Sequence, residues 1–283
     1  MRPRGPTSTS TTPSSTTTPK PGPDLIEIGP VEEQLLDETK ERPIVAALID
    51  PEDFSPKRAA EVAVKAVEAG VSLILVGGST LANQGRLDAV VRSIRNHIKL
   101  RPGHRKSRQV PVVLFPGNIT GVSRYADAIL FSSLLNSANP YFIIGAQALG
   151  AIEVHKAAIE SIPMAYLVFG NGSATSFIGQ VNSLPPSKPG LAVIYALAAK
   201  YLGMRTLYLE AGSGAGEPIP QETVRAVRKA YNGLLIVGGG ITTADSAGKA
   251  AKAGADLLVI GNLLQSPGYE ATLRQIVSAT KRR

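Results

Sequence analysis

The sequence predicts an α/β protein formed by a single (β/α)8 TIM-type barrel with a degenerate third helix. Eight short apolar runs follow one another along the chain, each nearly continuous, as strands buried on both faces are. Helix-like stretches with helix start and stop residues separate most of these runs. No G-x-G-x-x-G follows the first run, and the last two end in GGGI and GN, where barrels commonly bind phosphate. An open doubly wound sheet is the alternative.

The predicted strands are rich in β-branched residues and occupy residues 43–49, 71–76, 110–115, 127–131, 164–169, 205–209, 233–237 and 255–260. The connection between the third and fourth strands, PGNITGVSRYA, is too short for a full helix. The loop at 170–190 is long for a strand-to-helix connection, which makes it a candidate lid.

Composition limits the chemistry that the chain can perform. The 283 residues are 43% hydrophobic and include no cysteine and three histidines, which excludes a thiolate nucleophile and nearly excludes a Cys/His metal site. No apolar run reaches the roughly 18–20 residues of a membrane span, so we expect a cytoplasmic protein. Residues 1–23 are expected to be a disordered Ser/Thr/Pro-rich tail because they have almost no apolar side chains to bury. The barrel domain is then residues 24–283.

Most of the net charge of +8 lies in residues 92–108, which carry seven Lys or Arg residues and no acid. One interpretation is peripheral contact with an anionic membrane, and the other is a solvated helix end and loop. No aromatic residues are interleaved for base stacking, so we expect no nucleic-acid partner. We also expect a homo-oligomer.

The carboxyl ends of the barrel strands hold the candidate site, because barrel enzymes place their chemistry there. Glycine-rich turns follow strands 6, 7 and 8, and together they can bind one phosphate through backbone N–H groups without a lysine. Glu210 ends strand 6, where it can accept a proton or a hydrogen bond from a substrate hydroxyl, or be satisfied by backbone groups. Tyr208 points the same way as Glu210 if the strand alternates regularly.

Asp50 ends strand 1, and Ser79 follows strand 2 beside it. One carboxylate and one hydroxyl suit Mg²⁺, which takes further ligands from water and substrate phosphates. The alternative for Asp50 is to cap the first helix. The mouth would therefore bind one phosphate ligand without a metal and one metal diphosphate.

Several segments resemble the geranylgeranylglyceryl phosphate synthases, archaeal prenyltransferases of ether-lipid synthesis, from about residue 30 to the C-terminus. They are LIDP, ILVGGST, PVVLFPGN, ADAILFSSLLNSANPYFIIGAQ, YLEAGSGA, LIVGGGI and GADLLVIGN. The resemblance implies transfer of a geranylgeranyl group from its diphosphate to the 3-hydroxyl of sn-glycerol 1-phosphate, with Mg²⁺.

The resemblance also implies roles for individual residues. Asp50 and Ser79 take the Mg²⁺ positions, and Glu210 becomes the base or hydroxyl-orienting group. The residues that take the glycerol-phosphate positions are Tyr208, Leu209, Glu210, Ala211, Gly212, Ser213, Gly214, Gly239, Gly240, Gly261 and Asn262. The chain departs from the family at DPED, where a basic residue is missing, and at the loop after strand 5.

Two other classes of function remain open on the residues alone. A barrel acting on a sugar phosphate, as an isomerase or synthase, would share the phosphate turns but need a further acid or lysine at a strand end. A non-catalytic phosphate-ligand-binding barrel would have no need of the Asp50 and Ser79 pair.

Overall fold

The computed structural model describes residues 28–78, 83–99, 109–170 and 172–280, and it confirms the predicted barrel. Eight parallel strands close on themselves in chain order. They are β1 Ile44–Ile49, β2 Leu73–Val76, β3 Val112–Leu114, β4 Ala128–Leu134, β5 Glu160–Val168, β6 Thr206–Glu210, β7 Leu234–Gly238 and β8 Leu257–Ile260. The tail at residues 1–23 lies outside the described residues.

Helices surround the barrel and follow most of the strands. They are α1 Pro30–Glu41, α2 Pro56–Glu68, α3 Gln84–Lys99, α4 Ala146–Ala157, α5 Ala174–Ile178, α6 Pro189–Tyr201, α7 Gln221–Ala230, α8 Ala244–Ala253 and α9 Tyr269–Thr280. Residues 115–127, between β3 and β4, form turns and contain no helix, which confirms the degenerate third helix. None of the helices in the described segments combines the length and the apolar character needed to cross a bilayer.

Two apolar layers follow from the alternation of side chains along the strands. One layer fills the barrel interior and includes Leu75, Met164 and Tyr208. The other lies between strands and helices and includes Ile74, Leu207 and Leu209. Tyr208 and Leu209 therefore point in opposite directions, and Glu210 points the same way as Tyr208, as the sequence predicts.

Helix α1 precedes the barrel and was not predicted from the sequence. The Glu160 carboxylate accepts hydrogen bonds from the backbone N–H groups of Val31 at 2.7 Å and Glu32 at 2.8 Å, in the first turn of α1. Arg205 binds the Glu32 carboxylate through two hydrogen bonds of 2.7 Å. Because Glu160 begins β5 and Arg205 precedes β6, these contacts fix α1 to the amino ends of the strands.

Strands β4 and β5 are longer than predicted because they pair beyond their apolar runs. Their parallel register extends from Ala128 opposite Glu160 to Leu134 opposite Tyr166. The extensions contain polar residues, which interrupt the apolar runs from which the strands were predicted. After β4, a π-helical turn at Tyr141–Gly145 leads directly into α4.

Candidate active site

A cavity of about 260 Å³ opens at the carboxyl ends of the strands and contains most of the predicted site residues. One part is polar and lies beside β1, β6, β7 and β8, where Asp50, Glu210 and Asn262 line the wall. The other part is apolar and extends past β3 and β4 toward α4. The site can therefore contact a molecule that has both a polar part and an apolar part.

Glu210 is a buried carboxylate at the polar end of this cavity. Its side chain is 6% exposed, and its Oε1 atom accepts a hydrogen bond of 2.6 Å from the backbone N–H of Gly212. The hydroxyl groups of Tyr208 and Tyr166 also hydrogen-bond the carboxylate. Burial raises the pKa of Glu210, and these three donors oppose that rise because they stabilise the ionised form.

The two tyrosines are buried beside the carboxylate, and burial raises the pKa of both phenols well above the ordinary range. Tyr166 was not predicted. It lies opposite Tyr208 in the register of β5 and β6, with ring centroids 5.1 Å apart. Phe115 packs against both rings, at 5.4 Å from Tyr166 and 5.3 Å from Tyr208. This packing restricts the positions of the two hydroxyl groups that hold Glu210.

The glycine-rich turns after β6 and β7 are in contact, as predicted. Gly212, Gly214, Gly239 and Gly240 all have positive φ angles, a conformation that glycine adopts without strain. A β-carbon at Gly239 would lie 2.6 Å from Glu210 Oε1 and 2.8 Å from the Gly212 nitrogen. The close approach of the two backbones therefore requires glycine at position 239.

The turn after β8 joins the turn after β6 through one side-chain contact. Ser213 Oγ donates a hydrogen bond of 3.1 Å to Asn262 Oδ1, and both residues line the cavity with Gly261. The structure thus brings together the three turns that were predicted to bind phosphate. Leu209 and Ala211 differ from the other predicted positions that the structure describes, since their side chains pack in or against the outer layer beneath the helices.

Asp50 lies at the end of β1, the strand next to β8 in the barrel, and lines the polar part of the cavity. Its Oδ1 atom accepts a hydrogen bond of 2.9 Å from the backbone N–H of Glu52, and its Oδ2 atom occupies the space of a β-carbon at Gly78. Burial raises the pKa of this carboxyl. Ser79, the other predicted metal position, lies outside the described residues. Within the described ranges, no group of three or more Asp, Glu, His or Cys residues forms a metal cage.

The apolar part of the cavity occupies the position left open by the missing third helix. Ile129 and Phe131 project from the outer face of β4, which a helix would normally cover, and both line the cavity. Val122 and the α4 residues Gly150 and Val154 complete the apolar walls. Because residues 115–127 form no helix between β3 and β4, part of the outer surface of the barrel is left open as an apolar groove.

The loop after β5, a candidate lid, is bonded to the loop after β4. Ser137 Oγ donates a hydrogen bond of 2.6 Å to the Gly179 carbonyl, and Asn136 Nδ2 donates one of 3.1 Å to the Asn182 carbonyl. Thr175 on α5 hydrogen-bonds Tyr166, so this loop also contacts the Glu210 site. The described part of the loop forms one wall of the site in this conformation.

Fold and site together define a (β/α)8 barrel whose mouth combines glycine-rich turns, a buried carboxylate and an adjoining apolar groove. Comparison with known proteins identifies the family. The PcrB family profile matches residues 36–280, and the chain belongs to this family.

The relatives and solved structures carry consistent names. The chain is 47% identical over 244 residues to the geranylgeranylglyceryl phosphate synthase of Thermococcus gammatolerans, covering 86% of this chain and 93% of that one. It is 49% identical over 240 residues to the Pyrococcus horikoshii synthase, covering 85% and 91%.

Two solved structures resemble this fold closely. The synthase of Thermoplasma acidophilum in complex with its substrate sn-glycerol-1-phosphate is 35% identical, with a TM-score of 0.83 over 91% of this chain and all of that one (100%). Wild-type GGGPS of Thermoplasma volcanium is 37% identical, with a TM-score of 0.82 over 89% and 97%.

Proposed function

We propose that the chain transfers a geranylgeranyl group from geranylgeranyl diphosphate to the 3-hydroxyl of sn-glycerol 1-phosphate. The observation that carries the proposal is the position of Glu210, a buried carboxylate between the glycine-rich turns and the apolar groove. The names of the relatives and the ligand of the Thermoplasma acidophilum structure support the same reaction. The glycerol phosphate would bind at the turns and the prenyl chain in the groove.

The acceptor phosphate would be bound by backbone N–H groups of the three turns. The left-handed glycines at 212, 239 and 240 keep side chains away from this space. Helix α8 begins at Ala244, shortly after the β7 turn, and the positive end of its dipole favours an anion on this side of the mouth. Tyr208 and Ser213 line the same region and can hydrogen-bond the glycerol moiety.

Glu210 would orient the 3-hydroxyl and accept its proton. The hydroxyl oxygen forms a bond with the terminal allylic carbon of the prenyl group, while the bond from that carbon to the diphosphate oxygen breaks. The diphosphate leaves with the bonding electron pair, and the hydroxyl proton passes to the Glu210 carboxylate. Holding the acceptor next to the allylic carbon makes the attack effectively unimolecular.

Asp50, at the end of β1, and Ser79, which follows β2 in the chain, are the proposed Mg²⁺ ligands. The half-buried Asp50 carboxylate fits a hard cation that takes its remaining ligands from water and from the donor diphosphate. Bound Mg²⁺ would neutralise charge on the diphosphate leaving group. Asp50 ends β1 and Glu210 ends β6, with β7 and β8 between them, so the leaving group and the acceptor hydroxyl would approach the allylic carbon from different directions.

A binding screen tests the proposed function. Thermal shift and calorimetry should detect sn-glycerol 1-phosphate and, separately, geranylgeranyl diphosphate with Mg²⁺. Asp50→Ala should weaken binding of the diphosphate and leave binding of glycerol phosphate intact. Stabilisation by sugar phosphates in place of glycerol phosphate would favour a sugar-phosphate enzyme, and binding of both ligands without turnover would favour a non-catalytic barrel.

We propose that the chain forms a homo-oligomer through α4 and α6. These helices, unlike α2 and α7, carry large apolar side chains on their outer faces, with Ile152 and Ile194 exposed by 60% and 63%. Monomers rarely leave such patches open to solvent. The tail at 1–23 has too few apolar residues to cover the patch, whereas a second copy presents the same apolar surface.

Light scattering tests this assembly. Replacing both Ile152 and Ile194 with Lys should convert the oligomer to monomer, whereas Lys229→Glu on the charged helix α7 should leave it unchanged. A monomeric wild type, or an oligomer that survives the double replacement, would disprove the proposed interface.

Peripheral contact with an anionic membrane is proposed for the basic stretch 92–108. Arg92 of α3 and Arg124 both lie over the Tyr125 ring, at 4.8 Å and 5.2 Å from its centroid, which extends the basic surface beyond the predicted stretch. Residues 100–108 lie outside the described part of the chain. Each basic residue near an anionic bilayer contributes on the order of 1 kcal/mol.

Sedimentation with anionic liposomes tests the membrane proposal. Binding should weaken as salt increases, because surface charges are screened. Replacing Arg101, Arg105, Lys106 and Arg108 with Gln should abolish sedimentation and preserve turnover of detergent-solubilised donor. Liposome binding that survives the four replacements would contradict the membrane proposal and favour the interpretation of the stretch as a solvated loop.

A further inference from the structure

The loop after β1 is strongly acidic at the place where an anionic diphosphate would bind. Asp50, Glu52 and Asp53 lie within the DPED segment, and Asp50 and Asp53 line the cavity. None of the described cavity-lining residues is a lysine or an arginine. The carboxylates of this loop repel an anionic diphosphate. The donor can therefore bind here only if the loop holds its carboxylates where they bind a cation together with the diphosphate.

Arg86, in the first turns of α3, reaches this loop from a neighbouring helix. Its Nε atom donates a hydrogen bond of 2.5 Å to the Pro51 carbonyl, and its Nη2 atom donates one of 3.1 Å to the Glu52 carbonyl. The backbone N–H of Arg86 is itself bonded to Asn83 Oδ1 at 3.1 Å. The guanidinium therefore connects the start of α3 to the backbone of the β1–α2 loop.

The peptide unit between Pro51 and Glu52 transmits this contact to Asp50. A trans peptide is planar, and its carbonyl and its N–H point in opposite directions. Arg86 binds the carbonyl of this unit, while its N–H donates a hydrogen bond of 2.9 Å to Asp50 Oδ1. By holding the carbonyl, Arg86 directs the N–H at the carboxylate and keeps the carboxylate over Gly78.

We propose that Arg86 is the positioning residue of the diphosphate end of the site. It orients Asp50 through the 51–52 peptide and supplies the positive charge that the DPED loop lacks. This inference rests on the proposed function, because it assumes that the donor diphosphate binds beside Asp50.

Calorimetry with Mg²⁺ and inorganic diphosphate tests the role of Arg86. Arg86→Gln should weaken binding of this pair about tenfold or more, the effect of losing a charge-assisted contact. Its binding of sn-glycerol 1-phosphate should equal that of wild type. Arg86→Lys should show a smaller loss, since it keeps the charge but not the two-pronged contact. In turnover assays the KM for the prenyl diphosphate should rise more than kcat falls.

Arg58→Gln is the matched control, because Arg58 lies on the adjacent helix α2 and pairs with Glu61 at 3.2 Å. It should bind Mg²⁺ and diphosphate as wild type does. If Arg86→Gln lowers the melting temperature, the affinity of Arg86→Lys for Mg²⁺ and diphosphate is compared with that of wild type instead. Wild-type affinity in both Arg86 variants, or an equal loss in Arg58→Gln, would overturn the role of Arg86 alone. A wild-type protein that fails to bind the pair would overturn the proposed function as well.

Discussion

The hydroxyl of Tyr208 occupies the space in which a β-carbon at Gly238 would lie. The two residues belong to adjacent strands, and the Tyr208 hydroxyl also holds the Glu210 carboxylate. The position of the proposed base, Glu210, therefore depends on Gly238 having no side chain at the end of β7.

Gly238→Ala should displace Tyr208 and misalign Glu210. We expect turnover to fall by about tenfold or more, because small displacements of a positioned catalytic group are costly. Steady-state kinetics at saturating acceptor will measure the loss. Gly190→Ala is the control, since a β-carbon there meets no atom within 4 Å. A normal rate in Gly238→Ala would show that the Tyr208 hydroxyl has freedom to move.

Glu210→Gln should lose about 10²-fold or more in rate while keeping the fold, because an amide cannot accept the hydroxyl proton. Its unfolding midpoint at neutral pH should equal or exceed that of wild type, because the replacement removes a buried charge. Glu217→Gln, an exposed residue of the same loop, serves as the control. A variant as active as wild type would mean that the carboxylate is held by backbone groups for structural reasons only.

The pH dependence of wild type and Glu210→Gln should differ in a defined direction. Burial raises the pKa of Glu210, so its proton-accepting form should disappear on acidification at a pH above the range of an ordinary glutamate. Because the folded-state pKa is the higher one, the contribution of Glu210 to stability is largest below its unfolded pKa and is lost as pH rises through its folded pKa. Rate profiles and urea unfolding at several pH values will measure both effects, and a stability contribution that grows with pH would contradict the assignment.

Glu160→Gln should destabilise the protein by about 1–3 kcal/mol, because two backbone N–H groups of α1 lose a charged acceptor. Urea unfolding will measure the change in free energy. Glu153→Gln is the comparison, since Glu153 forms only an exposed ion pair with Lys156. Equal stabilities of the two variants would show that the attachment of α1 does not depend on the Glu160 charge.

Deleting residues 1–23 should change neither the melting temperature nor turnover. The segment has almost no apolar side chains, so it can bury little surface against the barrel. Differential scanning calorimetry and a standard assay suffice for the comparison. A decrease of several degrees would indicate that the tail docks on the folded domain.

The parts of the molecule that were predictable are those with a local signal. Continuous apolar runs locate the strands, and the glycines at 212, 239 and 240 mark turns that need positive φ angles. The alternation of one strand places Tyr208 and Glu210 on the same face. The carboxylate at the end of β1 follows from its position alone, since strand ends of a barrel meet at one mouth.

The parts that were not predictable depend on pairing between distant residues. Tyr166 reaches Glu210 only because the register of β5 and β6 places it opposite Tyr208. Helix α1 is attached through Glu160 and Arg205, more than a hundred residues further along the chain. Arg86 contacts main-chain carbonyls, and such contacts cannot be predicted from residue types because every residue has a carbonyl.

The open flank between β3 and β4 separates two kinds of selectivity in one molecule. In the proposed reaction, head-group chemistry would depend on backbone turns and a few buried polar groups, which tolerate little change. The accepted chain length would depend on the side chains that border the groove, such as Val122, Ile129 and Val154, which are ordinary apolar residues. Divergence among related barrels can therefore lengthen or shorten the accepted lipid by exchanging those side chains, while the ether-forming chemistry is inherited unaltered.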